Sequence, residues 1–243
     1  PDVGGGFGTK IFHYAEEAFV TFASRQINRP VKWTSTRSEA FMSDAHGRDH
    51  VSKIELAMDA DNNFIGLRTD TYANMGAYLS TFSSSVPTWL HGTLMAGNYK
   101  TPAVQVNVKA VFTNTVPTQA YRSSGRPEVT FAIERLMELA AIQLDMDSIE
   151  LRRLNLVEAD EMPYTNPLGM NYDSGQYHDN IETAQSLADW NGIENRRREA
   201  GDRGKLLGVG IANYVESSIG APLEQTEITV RSVGRVDVII GTQ

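Results

Sequence analysis

Ala120-Tyr121-Arg122-Ser123-Ser124-Gly125-Arg126-Pro127-Glu128 leads into the strongest helical pattern of the chain. Pro127 suits the first helical turn, where its missing N–H leaves no gap in the ladder. Glu128 complements the positive end of the helix dipole. Phe131, Leu136, Leu139 and Ala140 supply apolar faces, so the spacing predicts a helix over 127–144. The stretch ahead of it sets small residues between two arginines. Such a segment can direct two cations and several N–H donors at one polar ligand. The plainer reading is a surface loop whose arginines pair with acids.

Upstream, 104–112 alternates Val104, Val106, Val108 against Gln105, Asn107, Lys109, a half-buried strand. The runs 51–58 and 64–72 flank the turn Asp61-Asn62-Asn63 and predict a hairpin. A helix is expected over 13–28, with Ala15, Phe19 and Phe22 or Ala23 on one face and Pro30 as its stop. Val31-Lys32-Trp33-Thr34 reads as a short strand and 37–41 as a short helix.

Downstream, Asp147 or Ser148 caps a helix through Asn155. Residues 163–175 read as a loop, 180–200 as a charged helix, and Gly201-Asp202-Arg203-Gly204 as a turn. Strands are expected over 206–215 and 226–240, the latter folding back at Gly234. The sum is an α+β protein with mixed or antiparallel sheets and packed helices.

A length of 243 residues allows one large or two modest domains. The net charge of −8 leaves no basic excess to replace phosphate counterions, which argues against nucleic acid. No apolar run is long enough for a membrane span. The absence of cysteine excludes disulfides, thiolate-held iron–sulfur clusters and cysteine nucleophiles within this chain, and fits a cytoplasmic protein. With no initiator Met at Pro1 and a closing strand that runs into a turn at Gly241 and stops there, the chain reads as a fragment.

A second motif is Gly4-Gly5-Gly6-Phe7-Gly8-Thr9-Lys10, read as lying immediately before a helix. Glycines let backbone approach a bulky ligand, and a helix N-terminus offers free N–H groups to an anion. The spacing fits neither a P-loop nor a dinucleotide fingerprint. A glycine turn before a helix is, by itself, as well explained structurally.

Lesser signals have bland explanations. His46 and His50 are four apart, but Gly47 between them and the lack of a third ligand disfavour a metal site. Gly208-Val209-Gly210 suggests a bulge or a close-packing site in a strand. Arg196-Arg197-Arg198, among acids, reads as a solvated helix face. Met58, Met75 and Met95 read as core fillers.

Together the two loop motifs resemble the cofactor-facing loops of the xanthine oxidase family of molybdenum hydroxylases. The likeness extends through Arg29-Pro30-Val31-Lys32-Trp33, Ala132-Ile133-Glu134-Arg135, the run 149–155 and the run 167–175. It is strongest toward the carbon monoxide dehydrogenase large subunit, in its cysteine-lacking group. The resemblance implies a fold of the aldehyde oxidase/xanthine dehydrogenase cofactor-binding type. It implies a molybdenum–pterin cofactor, as the cytosine dinucleotide in bacteria, and oxidation of a small substrate with water-derived oxygen.

Electrons would pass to an iron–sulfur subunit and an FAD subunit, in a dimer of heterotrimers. The cofactor-facing positions would be Gly6, Phe7, Gly8, Tyr121, Arg122, Ser123, Ser124, Gly125 and Arg126, with Arg122 as the catalytic residue. Arg152 or Arg153 would also hold surrounding geometry. Residues 1–200 would form part of a first cofactor-binding domain and 201–243 the start of a second.

Two departures bear on substrate. The copper-holding cysteine of true carbon monoxide dehydrogenases is here Ser123, a poor ligand for soft Cu(I). The glutamate after the lysine in xanthine-type enzymes is here Ile11, which cannot hydrogen-bond a purine. In the family the general-base glutamate lies far downstream, so this piece alone is expected to be inactive. Genuine carbon monoxide oxidation and a non-catalytic interaction module stand as alternatives.

Overall fold

The structure is a computed structural model that describes residues 5–81, 84–216 and 225–240. At its centre is a mixed three-stranded sheet. Strands β1 (His50–Met58) and β2 (Phe64–Asn74) form the expected antiparallel hairpin. The Asp59 carboxylate folds the turn by accepting from the backbone N–H groups of Asp61 and Asn63, each at 2.9 Å. Strand β3 (Val104–Val111) then lies parallel to β2, giving the order β1-β2-β3. A parallel neighbour needs a crossover. It includes a π-helical turn, Val86–Leu90, and the short α3 (His91–Thr93).

Two helices precede the sheet. Helix α1 (Ala15–Ile27) stops at the left-handed Asn28, two residues before Pro30. Helix α2 (Arg37–Ser43) starts on a reciprocal cap between Thr36 and Glu39. The apolar face expected of α1 exists but is uncovered among the described residues: Phe19 is 64% exposed and Phe22 61%. The short strand expected at 31–34 is absent, since no described strand lies beside it to complete a ladder.

The core forms where α4 (Arg126–Leu144) and α5 (Ser148–Asn155) meet the sheet and the turn carrying Met95 and Tyr99. Asp147 caps α5 through the N–H groups of Ile149 and Glu150. The buried stripe of α4 is Val129, Ile133, Met137, Ala140 and Ala141. Burial of Val129, Ile133 and Met137 contributes about 1.5–3 kcal/mol each. Phe131 and Leu139, expected on apolar faces, lie on the exposed side, and Phe131 is 74% exposed.

Beneath α4 lies a buried charge cluster. Arg152 bonds Glu134 at 2.9 Å, Glu138 at 2.7 Å and the carbonyls of Ser148 and Ile211. The same Glu134 carboxylate accepts from the Tyr99 hydroxyl at 2.5 Å and from the Asn213 backbone N–H at 3.0 Å. This explains why 206–215 is not the strand expected. Its inner polar groups at 211 and 213 meet side chains of the core, and at its outer end Leu206 is fully exposed.

Residues 163–175 contain a small hairpin, β4 (Tyr164–Thr165) with β5 (Asn171–Tyr172). The charged helix divides into α6 (Tyr177–Leu187) and α7 (Ile193–Asp202), broken at the left-handed Asp189. Strands β6 (Thr226–Val230) and β7 (Val236–Ile240) form the expected hairpin. The chain is therefore α+β with a mixed sheet. Arg196, Arg197 and Arg198 are exposed, as read, with Asp189 and Glu194 as partners. Met75 and Met95 are buried. Among the described residues no three acids, histidines or cysteines gather as a metal site. No described helix is long and apolar enough to cross a membrane.

Candidate cofactor site

The two motif loops, more than a hundred residues apart in sequence, are joined backbone to backbone. The Arg122 N–H donates to the Phe7 carbonyl at 2.8 Å. Phe7 and Gly8 both adopt positive φ, 52° and 90°. At Gly8 a Cβ would stand 2.7 Å from the Ala120 carbonyl oxygen, so only glycine lets the loops close. The Gly6 carbonyl accepts from the Thr9 hydroxyl at 3.2 Å, which folds the first loop on itself. Phe7 remains exposed at the outer surface of this junction. Gly4 lies outside the described residues.

One expectation needs correction. The glycine loop does not open a helix directly, because α1 begins only at Ala15. The Glu17 carboxylate already accepts the Tyr14 N–H at that helix end. The glycine loop instead presents its own backbone.

The second loop is held in a costly shape. Ser123, Ser124 and Gly125 have φ of 73°, 36° and 87° in succession. Left-handed non-glycine residues cost roughly 1–3 kcal/mol each and persist only where surroundings over-determine them. Here the Ser124 N–H donates to the Tyr121 carbonyl at 3.1 Å. Arg126 donates to the Ser123 carbonyl through both its backbone N–H and its Nη1. Arg126 is buried and pairs with Glu216, Nε to Oε1 at 2.6 Å. It therefore braces the loop from behind. A Cβ at Gly125 would meet the Val86 carbonyl and the His91 nitrogen, so this turn sits directly on the crossover.

Arg48 was not singled out by the sequence, yet it is a central brace. Its guanidinium donates to the Arg122 carbonyl, lies 5.2 Å over the Tyr121 ring and faces Glu128 at 4.0 Å. Burial holds the Glu128 carboxyl above the usual range, partly offset by its own N–H and by Arg48. The only sequence signal for Arg48 was its place beside Gly47, in a stretch read for its histidines. The Arg122 side chain is different. It is exposed, and among the described residues its guanidinium has no hydrogen bond or ion pair. Among the described residues the acid pairing of the plainer reading forms at Arg126, with Glu216, and not at Arg122.

Arg152 and Arg153 do not reach the loop. Arg152 serves the charge cluster under α4, and Arg153 pairs with Glu182 and Gln185 on α6.

Two glycine-bearing loops with bare backbone thus close on each other beside Arg122, a cation without a partner among the described residues. The molybdopterin cofactor-binding domain matches residues 1–156. The chain belongs to that family. It is similar to the 6-hydroxypseudooxynicotine dehydrogenase complex subunit gamma of Paenarthrobacter nicotinovorans, 33% identical over 99% of this chain and 31% of that protein. The carbon monoxide dehydrogenase large chain of Hydrogenophaga pseudoflava is 33% identical over 94% of this chain and 29% of its own length. Among solved structures, quinoline 2-oxidoreductase from Pseudomonas putida 86 superposes with a TM-score of 0.83 at 31% identity, over 98% of this chain and 32% of the other. The chain thus spans about a third of the length of the relatives it matches. The family resemblance and the fold type expected from the motifs are both borne out.

Proposed function

We propose that this chain is part of the catalytic large subunit of a molybdenum hydroxylase, which oxidises a small organic substrate and passes electrons to iron–sulfur and flavin subunits. The carrying observation is the bond from the Arg122 N–H to the Phe7 carbonyl, which brings both motif loops to one place. The residues fit the group: the bare backbone of Gly6, Phe7 and Gly8 allows close approach on one side. Tyr121, Ser123, Ser124 and Gly125 shape the other side, and Arg126 keeps their turn in place.

When bound, the molybdenum–pterin group, in its cytosine dinucleotide form, supplies the two-electron oxidation and the oxygen transfer. Arg122 acts as the catalytic residue. Its guanidinium, without a partner among the described residues, directs fixed donors at negative charge that develops on the substrate or the transferred oxygen. The proton-accepting glutamate and the thiolate ligands of iron–sulfur clusters would come from outside these residues. The 243-residue chain by itself is then inactive. A division between a first cofactor-binding domain over 1–200 and a second from 201 belongs to the same reading.

Ser123 favours an organic substrate over carbon monoxide, because its hydroxyl does not hold Cu(I). The relatives named for 6-hydroxypseudooxynicotine and quinoline support the same choice. Metal analysis of the purified full-length complex tests the proposal. Molybdenum without stoichiometric copper is expected. About one copper per molybdenum would indicate carbon monoxide oxidation, and absence of both metals would indicate a non-catalytic interaction module.

A further inference from the structure

Under the 123–125 turn lies a side-chain pair that the cofactor reading does not use. His91 is completely buried at the start of α3. Its ring stands 4.4 Å from that of His50, at 62°, edge to face. His91 Nε2 is 3.5 Å from the Thr71 hydroxyl on β2, at the limit of a hydrogen bond. Among the described residues His91 Nδ1 and both ring nitrogens of His50 lack a well-formed hydrogen bond, with the Gly125 carbonyl the nearest acceptor for the His91 ring and the Pro87 carbonyl for that of His50. The backbone of His91 is also the surface on which Gly125 rests, since a Cβ there would come within 2.9 Å of its nitrogen. One residue thus contacts the sheet, the crossover and the base of the arginine loop.

We infer that His91, backed by His50, is a positioning residue whose buried imidazole seats the 123–125 turn and thereby aims Arg122. The strained turn needs a rigid floor, because three successive left-handed residues relax once any side of their cage opens. The polar edge of the imidazole suits that floor. It meets Thr71 on one side and faces the Gly125 carbonyl on the other. Burial, together with the neighbouring His50, pushes the His91 pKa down to about 4, against the opposing pull of the Gly125 carbonyl. His50 is held below the usual range mainly by burial, against the opposing pull of Asp49. The consequence for catalysis rests on the molybdenum reading, but the seating itself does not.

Trypsin cleavage of the 243-residue chain at the exposed Arg122–Ser123 bond measures the seating without any cofactor. The neighbouring Arg126 is followed by Pro127, whose bond trypsin does not cut. A seated left-handed turn must open before a protease can bind it extended, so the rate reports local opening. Cleavage at Lys205, in the exposed extended segment, serves as the internal reference. Relative to it, cleavage at Arg122 should be slow in the unmodified chain. It should rise about tenfold or more in His91→Phe, which fills the space without polar atoms. His91→Gln, which retains a donor and an acceptor, should restore most of the protection. A His91→Phe chain with unchanged circular dichroism and unchanged Arg122 cleavage would overturn the inference. So would a His91→Gln chain that opens as readily as His91→Phe. If His91→Phe does not fold, His50→Ala decides: faster cleavage at Arg122 supports the pair, and an unchanged rate refutes it. Because no metal enters this assay, failure of the seating and failure of the molybdenum reading are separately visible.

Discussion

The Arg122 backbone N–H meets the Phe7 carbonyl at 2.8 Å, so the two motif loops act as one unit. Their closure depends on the missing side chain of Gly8. Gly8→Ala places a Cβ against the Ala120 carbonyl at a φ of 90°. The backbone conformation alone costs an alanine about 1–2 kcal/mol. Calorimetry should show a fall in Tm of roughly 4–8 °C if the total is ~2 kcal/mol. The full-length complex should also lose molybdenum. Full occupancy at unchanged Tm would mean that the loops do not close on the cofactor.

Arg122→Ala should slow turnover of the full-length complex by about a hundred- to a thousandfold, equivalent to ~3–4 kcal/mol for one directed donor. Molybdenum content should be unchanged, because the cradle is backbone. Arg122→Lys keeps the charge without the planar fork and should recover only part of the rate. Steady-state kinetics at measured metal occupancy is the check. Near-normal turnover of the alanine variant would remove Arg122 from the catalytic machinery.

Arg152 is fully buried and holds both α4 and the 211–213 segment. Its truncation strands the Glu134 carboxylate. Arg152→Ala should cost about 3–5 kcal/mol in denaturant unfolding, the usual result of breaking a buried ion pair from one side. Hydrogen exchange at the Asn213 amide should accelerate, since its acceptor is the same carboxylate. A loss below ~1 kcal/mol would place this pair with surface salt bridges.

Stability should fall on acidification in a window set by His91. Its folded pKa, about 4, lies below the ordinary 6.5. The unfolded chain therefore binds the proton first as pH drops. The contribution is complete above pH 6.5, declines as pH falls toward 4 and is gone below that. It amounts to ~3 kcal/mol at full extent. His50 is shifted in the same direction and steepens the fall. Denaturant titrations of His91→Phe between pH 7 and 4 should show a shallower slope than the unmodified chain. Parallel slopes would mean that the imidazole is not buried neutral.

Local rules written into the sequence determined most elements. The Asp61-Asn62-Asn63 turn, the Asp147 cap, Pro127 in the first turn of α4 and the hairpin at Gly234 depend on neighbours a few residues away, and all appear as read. The two motif loops were legible for a related reason. Glycines and small residues beside arginines mark backbone that something must approach.

Tertiary structure decided what depends on distant partners. Residues 31–34 and 206–215 have strand-like composition, but a strand needs a second chain segment to take its hydrogen bonds, and for 211–213 core side chains take that place. Which stripe of α4 is buried was set by the sheet and by α5, so Val129 and Met137 entered the core and Phe131 did not. Arg48 and His91 lie in segments without a motif and reached the arginine loop only through the fold. A side chain's partners across dozens of residues are a property of packing, and no local pattern encodes them.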